Sequence, residues 1–151
     1  MSDEIKFKHG IFTISLPYDK QPLMHTLYNS SMLNLSSLLL FSENPSQLID
    51  FYKKILQEDP KWSGGDFKGF SVGSALLIIG PHDKVHGKNQ NSERIIFNFE
   101  TDDVAGEFQR MKEAGATEIA APYHPGEDPG MDLATLADPD GNYFQLNSPM
   151  K

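Results

Sequence analysis

LADPDGNYFQL, residues 136–146, is the stretch on which the reading of the whole chain turns. Apolar residues run into Asp138-Pro139-Asp140-Gly141 and others run out of it. Proline presets φ at the start of a tight turn and glycine takes the left-handed position that closes it, so strands over 133–137 and 143–146 meet there. Upstream, 117–121 reads as a third strand and 95–99 as a fourth, the two separated by a helical segment. Asp102-Asp103 is an acidic helix start, Val104, Phe108 and Met111 form its apolar stripe, and Gly115 ends it. The second half is therefore β-α-β-β-β.

The same order precedes it. Residues 37–41 are a short apolar strand, and Asn44-Pro45 with Gln47 marks a helix start: N-cap, first-turn proline and a residue able to reach back to the cap. Leu48, Phe51, Tyr52 and Ile55 then fall at helical spacing, which predicts a helix over 45–57. Strands over 62–63, 67–72 and 75–79 follow, broken by Gly64-Gly65 and Gly73. Ser37 and Tyr52 stand 15 residues apart, as do Ile96 and Met111, so the chain reads as an internal duplication. Its expected organisation is a leader over 1–31, a first module over 32–90 with a polar linker at its end, and a second module over 91–151. The leader is open between an extra strand, from the alternation of Phe12, Ile14 and Leu16, and a segment preceding a natural start at Met32.

Composition narrows the chemistry. The 151 residues contain no cysteine, which removes thiolate nucleophiles, disulfides and Cys-ligated metal. The formal net charge is −8; residues 1–90 balance nine basic against nine acidic side chains, whereas 91–151 hold four against twelve. Nucleic acid and anionic membranes want a basic face, so neither is an expected partner. No apolar run is long enough to span a bilayer, and 33–41 lacks the flanks of a signal peptide; a cytoplasmic protein is expected. No dinucleotide, phosphate-loop, nucleophile-elbow or zincin motif occurs.

FETDDVAGEFQRMKEAGA (99–116), AAPYHPGEDPGM (120–131) and LADPDGNYFQL together resemble the C-terminal module of the vicinal-oxygen-chelate superfamily, the glyoxalase / bleomycin-resistance / extradiol-dioxygenase fold. LLLFSENPSQLIDFYKKIL (38–56) is similar to its N-terminal module. The resemblance implies an α+β fold of two tandem βαβββ modules forming an incomplete mixed barrel with helices outside, a concave cup that holds the ligand, and a homodimer. In metal-dependent members, four inward side chains, mostly His and Glu, hold a divalent ion. The matching positions are Ser37, Leu77, Ile96 and Gln145, none of which is an imidazole or a carboxylate, so no metal or other cofactor is expected.

Strand alternation then assigns the faces. With those four inward, Leu39, Phe41, Ala75, Ile79, Asn98, Glu100, Tyr143 and Asn147 also line the cup. The opposite rows, Leu38, Leu40, Leu76, Ile78, Phe97, Phe99, Phe144 and Leu146, lie under the helices. An apolar wall facing a few convergent polar groups suits a small organic ligand, and the acidic second half suits a cationic one. Trp62 is placed to stack on a planar ligand or to pack in the core, and Tyr123 and His124 lie on a Pro/Gly-rich segment able to cover the mouth. Glu100 is the one general-base candidate, on condition that it is buried. His82 and His86 have the i, i+4 spacing of helical metal ligands, yet Pro81 and Gly87 predict a loop there. The expected function is metal-independent small-molecule binding. The alternatives are a lyase, isomerase or dioxygenase-related enzyme with a non-standard site, using Glu100 with His124 or a partner subunit's residue, and a sensor whose cup is packed shut.

Overall fold

Asn44 starts the first helix as its sequence requires: its side-chain oxygen accepts from the Gln47 N–H at 3.4 Å, and its amide reaches the Gln47 side chain at 3.3 Å. The computed structural model describes residues 33, 35–126 and 130–149, so the strand expected around residues 12–16 lies outside the described residues. The order is β1 (Ser37–Phe41), α1 (Pro45–Leu56), β2 (Trp62–Gly64), β3 (Phe67–Val72) and β4 (Ala75–Gly80). It repeats as β5 (Phe97–Glu100), α2 (Val104–Glu113), β6 (Thr117–Tyr123), β7 (Leu133–Ala137) and β8 (Tyr143–Asn147). Each module forms a mixed four-stranded sheet, ordered β1-β4-β3-β2 and β5-β8-β7-β6, with its first strand parallel to its last. The fold is α+β, two tandem βαβββ modules with no closed barrel, and Leu35–Lys151 form one compact unit.

One apolar core joins the modules. Leu48, Phe51, Tyr52 and Ile55 of α1, Val104, Phe108 and Met111 of α2, and Phe70, Leu77, Ile79, Leu136, Phe144 and Leu146 of the sheets are all buried in it. Phe144 is its pivot, with ring centroids 6.3 Å from Phe51, 6.4 Å from Tyr52, 6.0 Å from Phe97 and 5.8 Å from Phe99. Aromatic rings at these separations gain beyond the area they bury.

Two polar ties cross the same boundary. Asp138, buried in the turn between β7 and β8, accepts from the backbone N–H of Asp140 and of Asn142, each at 2.9 Å, and from the Asn142 side chain at 2.9 Å. Its remaining partner comes from the other module: the Tyr52 hydroxyl donates at 3.0 Å. Burial holds the Asp138 carboxyl above the ordinary aspartate value, against the opposing pull of those hydrogen bonds. Burial, then the charge of Asp138, pushes the Tyr52 phenol well above its ordinary value, so the phenol remains a donor. On α2, Arg110 pairs with Glu107 at 2.6 Å and donates to the carbonyls of Lys54 at 3.4 Å and Ile55 at 2.7 Å. Those carbonyls lie in the last turn of α1, where helical acceptors lack partners. No helix among the described residues is long and apolar enough to cross a membrane.

Candidate functional site

The side of each sheet opposite the core is organised in rows running across the strands, because directly paired residues share a face. In the first module the central row is Leu39, Ile78, Gly69 and Trp62. Below it, Phe41 pairs with Gly80 and Phe67 with Gly64. Glycine at these points makes room for rings. A Cβ on Gly64 would stand 2.7 Å from the Trp62 indole and one on Gly69 3.3 Å from it, so the indole lies against bare backbone. Phe67 covers Gly80 in the same way and meets Phe41 edge-on, ring centroids 6.4 Å apart. Leu39 and Trp62 nonetheless each keep 45% of their surface exposed.

The second module builds equivalent rows from different chemistry. Its central row is Asn98, Gln145, Thr135 and Ala120; the next is Glu100, Asn147, Leu133 and Tyr123. The Gln145 amide donates to the Thr135 hydroxyl at 2.9 Å, which fixes the amide and leaves its carbonyl as an acceptor. Tyr143 begins the same strand face, and Ile96, just before β5, is 38% exposed.

Most of the residues expected in the cup therefore stand on one side of the sheets: Ser37, Leu39 and Trp62 on the first, Asn98, Glu100, Tyr143 and Gln145 on the second. One strand corrects the expectation. Ser37 pairs with Leu76, not Leu77, and Leu38 pairs with Leu77. Leu77 and Ile79 lie in the helix-covered core, 4% and 0% exposed, and Leu76 and Ile78 take the cup-facing side. The run Leu76-Leu77-Ile78-Ile79 is apolar throughout, so alternation alone cannot fix its phase. Glu100 ends β5 in an exposed position, so the burial that a base role requires is absent. His124 is exposed just beyond β6, within 3.1 Å of Asp132 and 3.2 Å of the Met131 carbonyl. Glu100 stands on one edge strand of the second sheet and His124 just beyond the other, with two strands between them. His82 lies in a loop, accepting from the Lys84 N–H at 3.1 Å and packing on Phe41. Residues 127–129 of the expected mouth-covering segment lie outside the described residues.

The resemblance implies ligand positions at Ser37, Leu77, Ile96 and Gln145; Leu77 lies in the core, and the residue that answers to Gln145 in the row register is Ile78. A hydroxyl, two alkyl groups and an amide do not fit a divalent ion. Among the described residues no cluster of three or more His, Asp or Glu side chains could hold one elsewhere.

A model of the glyoxalase-like domain matches residues 38–147. Solved structures with similar folds include a glyoxalase/bleomycin resistance protein/dioxygenase family enzyme from Burkholderia phytofirmans PsJN, 22% identical over 78% of this chain and 100% of that one, with a TM-score of 0.64. A glyoxalase/bleomycin resistance protein from Albidiferax ferrireducens T118 is 18% identical over 79% and 100% of the two chains, with a TM-score of 0.59. The genomically encoded fosfomycin resistance protein FosX from Listeria monocytogenes is 20% identical over 80% and 94%, with a TM-score of 0.55. At these identities the likeness extends to the fold alone. No curated protein sequence matches.

Proposed function

The chain belongs to the glyoxalase-like domain family, and on that premise we propose that it binds a small organic molecule against the cup-facing rows without a divalent ion. One observation carries the reading: the rows that could embrace a ligand are aromatic and aliphatic on one sheet and amide, hydroxyl and phenol on the other, with no ligand set for a metal. A planar group stacks on the half-exposed Trp62 face and slides against Leu39 and Ile78. Asn98, the free carbonyl of Gln145 and Tyr143 orient its polar end. Glu100 at the rim and the acidic second half favour a cationic ligand, by an attraction that salt weakens. On the cup side Leu39 and Trp62 are half-exposed, whereas Leu133, Thr135 and Asn147 are buried, and the outer edges of β2 and β6 are unpaired within the described residues. A homodimer that shelters the face belongs to this reading, as does a cytoplasmic setting.

Trp62 is the only tryptophan, so its fluorescence reports this face and no other. A panel of planar cationic and neutral molecules, titrated at low and high salt, is expected to quench or shift that emission. Parallel thermal shifts should weaken in Asn98→Leu/Gln145→Leu. Ligands that stabilise the wild type and the double variant equally would place binding elsewhere. Stoichiometric metal in untreated protein that is lost in Gln145→Leu would overturn the metal-independent reading.

A further inference from the structure

The two amides that β8 turns toward the cup are both pinned by their N–H groups. Gln145 donates to the Thr135 hydroxyl at 2.9 Å, and Asn147 donates to the Ser148 carbonyl at 3.0 Å. Their side-chain oxygens accept no bond within the described residues, yet neither is shut away. Asp140 Oδ2 alone is both buried and unmatched among the side-chain nitrogen and oxygen atoms of those residues. Gln145 Oε1 and Asn147 Oδ1 are therefore reachable acceptors on one face of one strand. Their residues stand roughly 7 Å apart along it. Glu100, paired with Asn147 across β5, adds an exposed carboxylate to the same row.

Nothing beside them supplies the missing donors or the opposite charge. The paired residues on the cup-facing side of both sheets include no lysine, arginine or histidine. Carbonyl oxygens on buried and half-buried side chains are matched by N–H or O–H groups in native structures, and here the ligand is left to bring them.

The arrangement of acceptors narrows the head group. A quaternary ammonium carries charge and no donor. An alkylammonium gathers its donors on one nitrogen, so every acceptor it meets lies about 2.9 Å from that single atom. A guanidinium spreads its N–H groups over three nitrogens in one rigid plane and serves oxygens that stand apart. On the reading that the ligand lies in the cup, on which this inference rests, we propose that the cup selects a guanidinium-bearing molecule. Its N–H groups meet Gln145 Oε1, Asn147 Oδ1 and the Glu100 carboxylate, and its body extends over the apolar rows of the first sheet.

Calorimetric titration of the full chain tests this with three probes that share one ring: phenylguanidinium, phenyltrimethylammonium, which has the charge without the donors, and phenylurea, which has donors without the charge. Phenylguanidinium is expected to bind at least tenfold tighter than phenyltrimethylammonium. It should also exceed phenylurea, by a margin that added salt narrows. Gln145→Leu and Asn147→Leu should each bring the guanidinium-to-trimethylammonium ratio at least threefold closer to one. Asn147 is buried, so the half-buried Gln145 carries the test if Asn147→Leu does not fold. Equal affinity for the two cations in the wild type overturns the proposal, as does a ratio unchanged in Gln145→Leu. Silence of phenylguanidinium at millimolar concentration, in protein whose Trp62 emission still responds to the wider panel, overturns the guanidinium assignment alone. A Trp62 that responds to nothing, with all three probes silent, removes binding in the cup and this assignment with it.

Discussion

Module one and module two superpose in topology row by row, yet they place opposite chemistry at matching points. Where the first has Leu39, Ile78, Gly69 and Trp62, the second has Asn98, Gln145, Thr135 and Ala120. The core-facing rows do not diverge in this way: Leu38, Leu40, Leu77 and Ile79 answer to Phe97, Phe99, Phe144 and Leu146, apolar on both sides. Burial against helices constrains one face of each sheet to hydrocarbon, a constraint the cup-facing side does not share. The proposed ligand face lies where the two modules diverge, and their interdependence lies in the core they share.

The largest effect should come from the residue that makes the two cores one. Phe144→Ala removes a ring contacting both modules and is expected to cost about 3–5 kcal/mol in urea unfolding, still as a single transition. Separate transitions for the two modules would show that the shared core does not couple them.

Next comes the polar tie. Tyr52→Phe strips one donor from a buried carboxylate and should cost about 1–3 kcal/mol. The pH dependence has a definite sign. Because the Asp138 carboxyl lies above its ordinary value in the folded chain, the unfolded chain releases that proton first as pH rises. Asp138 therefore contributes stability at low pH that declines from near pH 3.9 upward, until the folded-state value is passed. Stability curves against pH for wild type and Asp138→Asn should converge on the alkaline side of that window relative to their acid separation. A separation that widened with pH would contradict the assignment.

Arg110→Met leaves the carbonyls at the end of α1 without a side-chain donor and is expected to cost about 1.5–3 kcal/mol, read by thermal unfolding. The smallest effect sharpens the comparison of helix ends. α2 is followed by Gly115 at φ 110°, whereas α1 closes on Gln57 at φ 55°, a region disfavoured for side-chain-bearing residues. Gln57→Gly should stabilise by about 1 kcal/mol. Unchanged or lower stability would mean that the glutamine side chain offsets the strain.

Much of this was legible in the sequence because the signals were local. The caps at Asn44 and Asp103 and the Asp-Pro-Asp-Gly turn each state their geometry within four residues, and Gly141 takes the positive φ, 81°, that its turn demands. Face assignment succeeded where polar and apolar residues alternate, as in β5 and β8. It failed by one residue in β4, where Leu76 to Ile79 give alternation nothing to read and only the pairing with β1 settles the phase. The hydroxyl of Tyr52 bonding Asp138 is invisible at a separation of 86 residues.

That last bond has a consequence for how the molecule can come apart. The turn that shapes the end of one repeat completes its hydrogen bonding with a phenol borrowed from the other, so the second half lacks a full set of partners for its own buried carboxyl and the first leaves a buried hydroxyl without its acceptor. Cleaved in the linker between Lys88 and Asn91, the chain should yield two fragments that stay unfolded singly and regain structure on mixing. A present-day sequence descended from a doubled ancestor would thus have lost the option of living as one copy.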